Sequence, residues 1–255
     1  MVLLEVKHLK KIYSGRFGQN TVEALRDVSF SVEEGEYVAI MGESGSGKTT
    51  LLNLLAALDS PTKGAVLLDG KDMANIPEGQ KAAFRRDRLG FVFQDFNLLD
   101  NFSVKDNIFL PLVLANKKPD LMKKKLAPLA KSLGITEILG KYPYEISGGQ
   151  KQRVAVARAL ITTPRILMAD EPTGALDSRA TDSLLEIFER VNDAGQTVLM
   201  VTHSIKAASH AGRILFIKDG EIFHQIYRGH LTSEQMYQKI SDTLNVLMVR
   251  GKKDE

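Results

Sequence analysis

The sequence predicts an α/β fold built on a parallel sheet, and three observations predict it. A short apolar run at residues 37–41 meets a glycine-rich turn at Gly42 and then a helix-like run at 48–58, so strand, glycine loop and helix follow one another. Strand patterns return at 166–169, 197–201 and 213–217, with a helical stretch at 180–194 between the first two, which is the alternation of parallel strands joined by crossover helices. The chain has 255 residues and is 44% hydrophobic, enough for one large domain or two closely packed subdomains with a real core.

Taken in order, residues 3–9 and the alternating 28–32 read as two strands of a small antiparallel layer, separated by a glycine-containing loop at 14–20. The stretch 80–160 reads mostly as helix, with helices at 104–114, 120–133 and 149–160 set apart by Pro119 and Pro143. Lys218, Asp219, Gly220 and Glu221 make a hairpin turn into a strand at 222–227. One more amphipathic helix is expected at 233–247, before a charged tail at 250–255. The domain division that follows is a core of 1–93 and 161–227, a helical insertion of 94–160 and a C-terminal helical extension of 228–255.

Charge and composition exclude several classes. Thirty-four Lys and Arg against 31 Asp and Glu give a net charge of +3, which makes no case for nucleic acid as a partner. The absence of cysteine excludes disulfides, thiolate metal sites and thiol nucleophiles. No apolar run approaches the roughly 18 residues of a membrane-spanning helix, and the start of the chain, with Glu5, Lys7 and His8, has neither the apolar core nor the cleavage site of a secretion signal.

Gly42, Gly47, Lys48 and Thr49 fit the pattern G-x-x-x-x-G-K-[ST] between a strand and a helix, the context that a phosphate-binding loop requires. Gly42, Gly45 and Gly47 let the backbone curl until its N–H groups converge on phosphate oxygens, and the helix N-terminus adds its positive end. Lys48 supplies a point charge for the β and γ phosphates, and the Thr49 hydroxyl is placed for Mg2+. Ser44, Ser46 and Thr50 complete the nucleotide-contacting run. Further along, the strand 166–169 ends in Asp170 and Glu171, which puts two carboxylates at the carboxyl edge of the sheet, where α/β folds bind ligands. Asp170 suits the Mg2+ shell. Glu171 can accept a proton from, or orient, a water attacking the γ-phosphorus. His203 follows the strand 197–202 and can reach the same edge; by position alone it serves equally as a structural histidine or as a γ-phosphate contact.

The run Ile146, Ser147, Gly148, Gly149, Gln150 followed by Lys151, Gln152 and Arg153 resembles the signature motif of ATP-binding cassette (ABC) proteins. The resemblance extends from the start of the chain to about residue 227 and implies a P-loop NTPase fold: a RecA-like core, an antiparallel β layer and a helical subdomain of ABC type. It further implies a homodimer formed on ATP binding, in which each signature closes over the nucleotide of the other subunit. By the same resemblance Gln94 is the loop glutamine that touches Mg2+ and couples to a membrane partner. Asp177, with Ala175 and Leu176, belongs to the segment that crosses the dimer interface. The resemblance also makes Tyr13 the aromatic that stacks on adenine, although an ordinary aromatic closing a strand is the other reading and Phe17 offers a second ring nearby, and it makes His203 the switch histidine. Ile146 replaces the usual leucine, and Ser204 stands where aspartate is frequent.

Residues 91–112, FVFQDFNLLDNFSVKDNIFLPL, and 170–178, DEPTGALDS, resemble the subgroup of lipoprotein-release and macrolide-export ATPases, and within it the bacitracin- and lantibiotic-type peptide resistance transporters. That implies an ATP- and Mg2+-dependent ATPase held at the inner face of the membrane by a separately encoded permease. Phe96, Leu98, Leu99, Phe102 and Ile108 would offer an apolar groove to a cytoplasmic helix of that permease, with plain core packing the other reading for about half of those side chains. The competing class is a soluble cassette ATPase of DNA repair or translation. Its marks, long heptad arrays before the signature or two cassettes in one chain, do not occur in this sequence.

Overall fold

The computed structural model describes residues 1–14 and 21–251, with side chains to residue 246. The expected loop at 14–20, apart from Ser14, lies outside them, as do Phe17 and nearly all of the charged tail. The chain runs β1 (Val2–Ser14), β2 (Thr21–Glu33), β3 (Tyr37–Met41), α1 (Lys48–Leu55), β4 (Lys63–Leu68), β5 (Lys71–Asp72), α2 (Glu78–Arg88) and β6 (Leu89–Phe93). It continues with α3 (Val104–Leu114), α4 (Pro119–Ser132), α5 (Gly148–Leu160), β7 (Ile166–Asp170), α6 (Ser178–Asp193), β8 (Thr197–Thr202), α7 (Ile205–Ala208), β9 (Arg213–Lys218), β10 (Glu221–Tyr227) and α8 (Ser233–Gly251).

Among the described residues ten strands are arranged in the order β5-β4-β1-β2-β10-β9-β3-β8-β7-β6. Strands β9, β3, β8, β7 and β6 are mutually parallel, whereas β1, β2, β4 and β5 pair antiparallel as the second layer. One parallel pairing, Glu221 with Asp27, joins the two. Every residue of β3 and of β8 is buried, as both are interior strands of a sheet covered on both faces. Such strands carry no polar alternation, and length and flanking glycines are what mark them in the sequence.

Two apolar clusters hold the layers. One joins the antiparallel strands to α1 through Leu51, Leu52, Leu54 and Leu55, and this pins the helix that follows the glycine turn. The other packs helices α3 to α8 on the opposite face of the parallel sheet, around Phe188, which is fully buried with its ring centroid 6.5 Å from that of Tyr37.

The structure departs from the sequence expectation at three strands. The short β4 and β5 were not foreseen, and β6 lies inside the stretch expected to be mostly helix. Five residues, LGFVF, read equally as a turn of buried helix, and only pairing with β7 makes them a strand. Gly90 in β6 meets α5 at its own backbone: a Cβ there would stand 2.7 Å from the carbonyl oxygen of Ala159. Between β9 and β10 the expected hairpin forms, with Asp219 and Gly220 both left-handed.

Replacing Phe188 with alanine should lower unfolding stability by about 3–5 kcal/mol. Urea unfolding with an unchanged denaturant slope would report that loss as a shift of midpoint.

Candidate active site

The register of the parallel strands levels their carboxyl ends. Met41 pairs with Thr202, Val201 with Asp170, and Asp170 with Phe93. The residues that step off these strands, Gly42, His203, Glu171 and Gln94, therefore emerge side by side on one edge, four contributions from positions remote in sequence.

The phosphate loop is closed by contact as well as by torsion. Gly47 has φ +99°, and a Cβ on it would lie 2.6 Å from the carbonyl oxygen of Ala24, so the loop packs directly on β2. Gly42 is equally confined, by the Ile217 carbonyl and the Ser46 hydroxyl. The Lys48 ammonium folds back onto the loop and donates to the carbonyl oxygens of Gly42 and Glu43, both at 2.7 Å. Burial lowers its pKa from the ordinary lysine value, while the carboxylates of Glu171, Asp170 and Glu43 act in the other sense. Ser46 is buried, and its Oγ has no hydrogen-bond partner among the described residues. Ser44, Gly45 and Thr49 are exposed at the mouth of the loop, and Thr50 is half-buried behind them.

The acid pair is asymmetric. Burial, and after it the charge of Glu171, raises the Asp170 carboxyl above the usual aspartate range, with Lys48 opposing. Glu171 has φ +44°, a left-handed conformation that is uncommon outside glycine, and its N–H is bonded to the Val201 carbonyl at 2.9 Å. That twist turns its carboxylate toward the end of β8. One oxygen accepts the Thr202 hydroxyl at 2.9 Å. The other accepts the His203 backbone N–H at 2.8 Å and lies 2.8 Å from His203 Nδ1. Facing a carboxylate oxygen, Nδ1 carries the hydrogen, which leaves Nε2 on the exposed side of the ring.

Gln94 is exposed and packs against Gly174, two residues beyond Pro172. Tyr13 stands beside the first turn of α1. Its hydroxyl donates to Asp59 at 2.9 Å, and Lys11 Nζ lies 4.7 Å from its ring centroid while also bonding Asp59. Burial and then Asp59 raise the phenol's pKa, with Thr50 and Lys11 opposing.

The signature residues occupy a different place. Ser147 caps α5: its Oγ accepts from the Gln150 N–H, and its own N–H donates to Gln150 Oε1. The nearest neighbours of Gly148 and Gly149 are Leu176, Phe96, Ala175 and Ala180, none of them in the phosphate loop. Asp177 caps α6 by accepting from the Ala180 N–H at 2.8 Å. Apart from Tyr13, the candidate residues thus fall into two groups, one at the sheet edge and one around the N-termini of α5 and α6. Of the expected apolar groove, Leu99 and Phe102 are exposed, Phe96 and Leu98 are half-buried, and Ile108 is fully buried. Ile108 is therefore core and not groove, because its position on α3 turns it toward the helical cluster.

Residues 25–174 match the family model described as ABC transporter. The ABC transporter ATP-binding protein YxdL of Bacillus subtilis is 49% identical over 96% of this chain and 94% of its own. The chain is an ATPase of the ABC transporter family. The cassette is also 44% identical to the bacitracin export ATP-binding protein BceA of Halalkalibacterium halodurans, over 97% of each chain. Among solved structures it resembles the ATP-binding cassette MJ0796, a dimer in a post-hydrolysis state bound to ADP and Pi, with a TM-score of 0.79 and 36% identity over 88% of this chain and 98% of that one. Two contacts of the cassette's site escaped sequence reasoning: Thr202, which holds Glu171, and Gln152, whose partners lie 59 and 20 residues away. Thr202 had a signal, as a hydroxyl at the end of a strand beside His203; Gln152 had none beyond its place in the signature run.

In Gly47→Ala the added methyl meets the Ala24 carbonyl in a backbone conformation that L-residues rarely adopt. ATP affinity should fall at least about tenfold and folding stability by roughly 1–3 kcal/mol, measured by nucleotide titration and by thermal unfolding.

Proposed function

We propose that the chain is the ATP-hydrolysing subunit of a bacterial peptide-resistance or export transporter, and that two copies pair head to tail around two Mg-ATP to drive a separately encoded permease. The observation that carries this reading is the split of the candidate residues into two groups. Lys48, Asp170, Glu171, Gln94 and His203 share one sheet edge, while the Ser147 end of α5 presents a second donor-rich helix terminus away from the chain's own phosphate loop. A second copy supplies the missing half of each site.

Within one site the loop N–H groups and Lys48, released from the carbonyls of Gly42 and Glu43, hold the β and γ phosphates. Thr49, Asp170 and Gln94 offer only oxygen donors to a metal, the hard ligand set that suits Mg2+. Those three residues would hold the ion together with oxygens of the bound phosphates. When bound, Mg2+ neutralises charge that builds on the β and γ oxygens. Glu171, once its carboxylate turns from His203 and Thr202 toward the γ-phosphate, orients the attacking water and takes its proton. His203 Nε2 contacts the γ-phosphate, and Tyr13 stacks on adenine beside α1.

Residues 94–160 form the helical subdomain that carries the signature toward the partner, and the extension from 228 follows the core. Among the described residues no helix is long and apolar enough to cross a membrane. Membrane attachment, at the cytoplasmic face, then comes through the permease, with Leu99 and Phe102 as exposed apolar contacts for it. Similarity to the bacitracin export protein over nearly the whole chain supports antimicrobial peptides as the substrate class. Nucleic acid has no part in this reading.

Glu171→Gln removes the proton acceptor but keeps the side chain's shape. Turnover should fall at least about 100-fold with ATP affinity retained, and light scattering in saturating Mg-ATP should read a dimer. A monomer under those conditions would contradict the head-to-tail sandwich. Co-expressed with its chromosomal neighbours, the wild-type protein should fractionate with membranes through a permease; recovery only in the soluble fraction would overturn the transporter role.

A further inference from the structure

Gln152, one turn into α5, is fully buried, and its amide nitrogen donates to two carbonyl oxygens. One belongs to Phe93, at 3.1 Å, the residue before Gln94; the other belongs to Pro172, at 2.7 Å, the residue after Glu171. Turning the amide over would set its oxygen against both carbonyls, so the two acceptors fix its orientation. Its own oxygen is buried without a partner among the described residues. An apolar side chain of the same length would avoid that orphaned acceptor but would release both loops.

A second anchor on the same helix holds the far side of the Gln94 loop. The Arg158 guanidinium donates to the carbonyl oxygens of Phe96 and Asn97. Both of those residues are left-handed, with φ of 61° and 50°, a pair of conformations that needs support from outside the loop. Helix α5 therefore grips the Gln94 segment before and after the glutamine. Through Gln152 alone it also grips the segment after Glu171.

We propose that Gln152 is a positioning residue for ATP hydrolysis, whose carboxamide sets the spacing between the Gln94 and Glu171 loops and carries any displacement of the signature helix to both at once. The proposal rests on the roles of Gln94 at Mg2+ and of Glu171 at the attacking water. It assigns Gln152 no contact with nucleotide.

The test is steady-state ATP hydrolysis by the full chain carrying Gln152→Met, which keeps the side-chain volume and loses both donors. We expect kcat to fall at least tenfold and the Mg2+ concentration for half-activation to rise severalfold. Affinity for ATP in EDTA should stay within twofold, because Lys48 and the phosphate loop are untouched. A kcat within twofold of the parent with an unchanged Mg2+ requirement would overturn the proposal, as would a parallel loss of metal-free ATP affinity, which marks general damage. Should Gln152→Met fail to fold, Arg158→Lys reads the other anchor: its Mg2+ requirement should rise, and an unchanged one counts against the coupling. Gln94→Ala separates the two levels of inference. If it leaves the Mg2+ requirement unaltered, the role of Gln94 falls and the proposal with it. If it shifts that requirement while Gln152→Met does not, only the coupling falls. When both single variants shift it, the double variant should shift it no further than Gln94→Ala alone.

Discussion

Backbone hydrogen bonding between β3, β8, β7 and β6 is the constraint on which the sheet-edge group depends. Their parallel register pairs Met41 with Thr202, Val201 with Asp170 and Asp170 with Phe93, so that the residue following each strand lands on the same edge. A slip of one residue along β7 would reverse the faces of Asp170 and Ala169 and carry a carboxylate into the apolar cluster that Ala169 occupies. The cost of burying that charge is what makes the register strict.

Within that frame the charges restrain one another. Lys48 is buried near the carboxylates of Glu171, Asp170 and Glu43 and rests on two carbonyl oxygens of its own loop. Asp170 is pushed toward its neutral form by burial and by Glu171, while Lys48 opposes the shift. In the proposed site a triphosphate would bring negative charge next to the lysine, and a cation would bring positive charge next to the aspartate. Both therefore act on groups that the fold leaves short of compensation. Glu171 differs, since the hydrogen bonds from Thr202 and His203 satisfy its carboxylate.

The helical side of the molecule is organised around α5. Its first turn is closed by the reciprocal Ser147–Gln150 cap, its buried face includes Gln152, and Arg158 reaches the loop that leaves β6. Close approach at Gly90 seats the end of this helix on β6. Hydrogen bonds from the buried side of α5 thus tie the helix whose N-terminus faces outward to the backbone of the loops at the sheet edge.

The sequence by itself determined what depends on local backbone chemistry. The phosphate loop needs glycines at fixed offsets and a lysine one step later, and the acid pair needs a buried strand that ends in carboxylates. These are short-range demands, and residue type and spacing display them. Tertiary structure alone decided that LGFVF is a strand, that Ile108 is core, that Tyr13 is held by Asp59 and that Gln152 bridges two loops. Each of those outcomes is set by a partner tens of residues away, brought close only when the sheet is assembled, and an amide or an apolar run carries no mark of which distant carbonyl or strand it will meet.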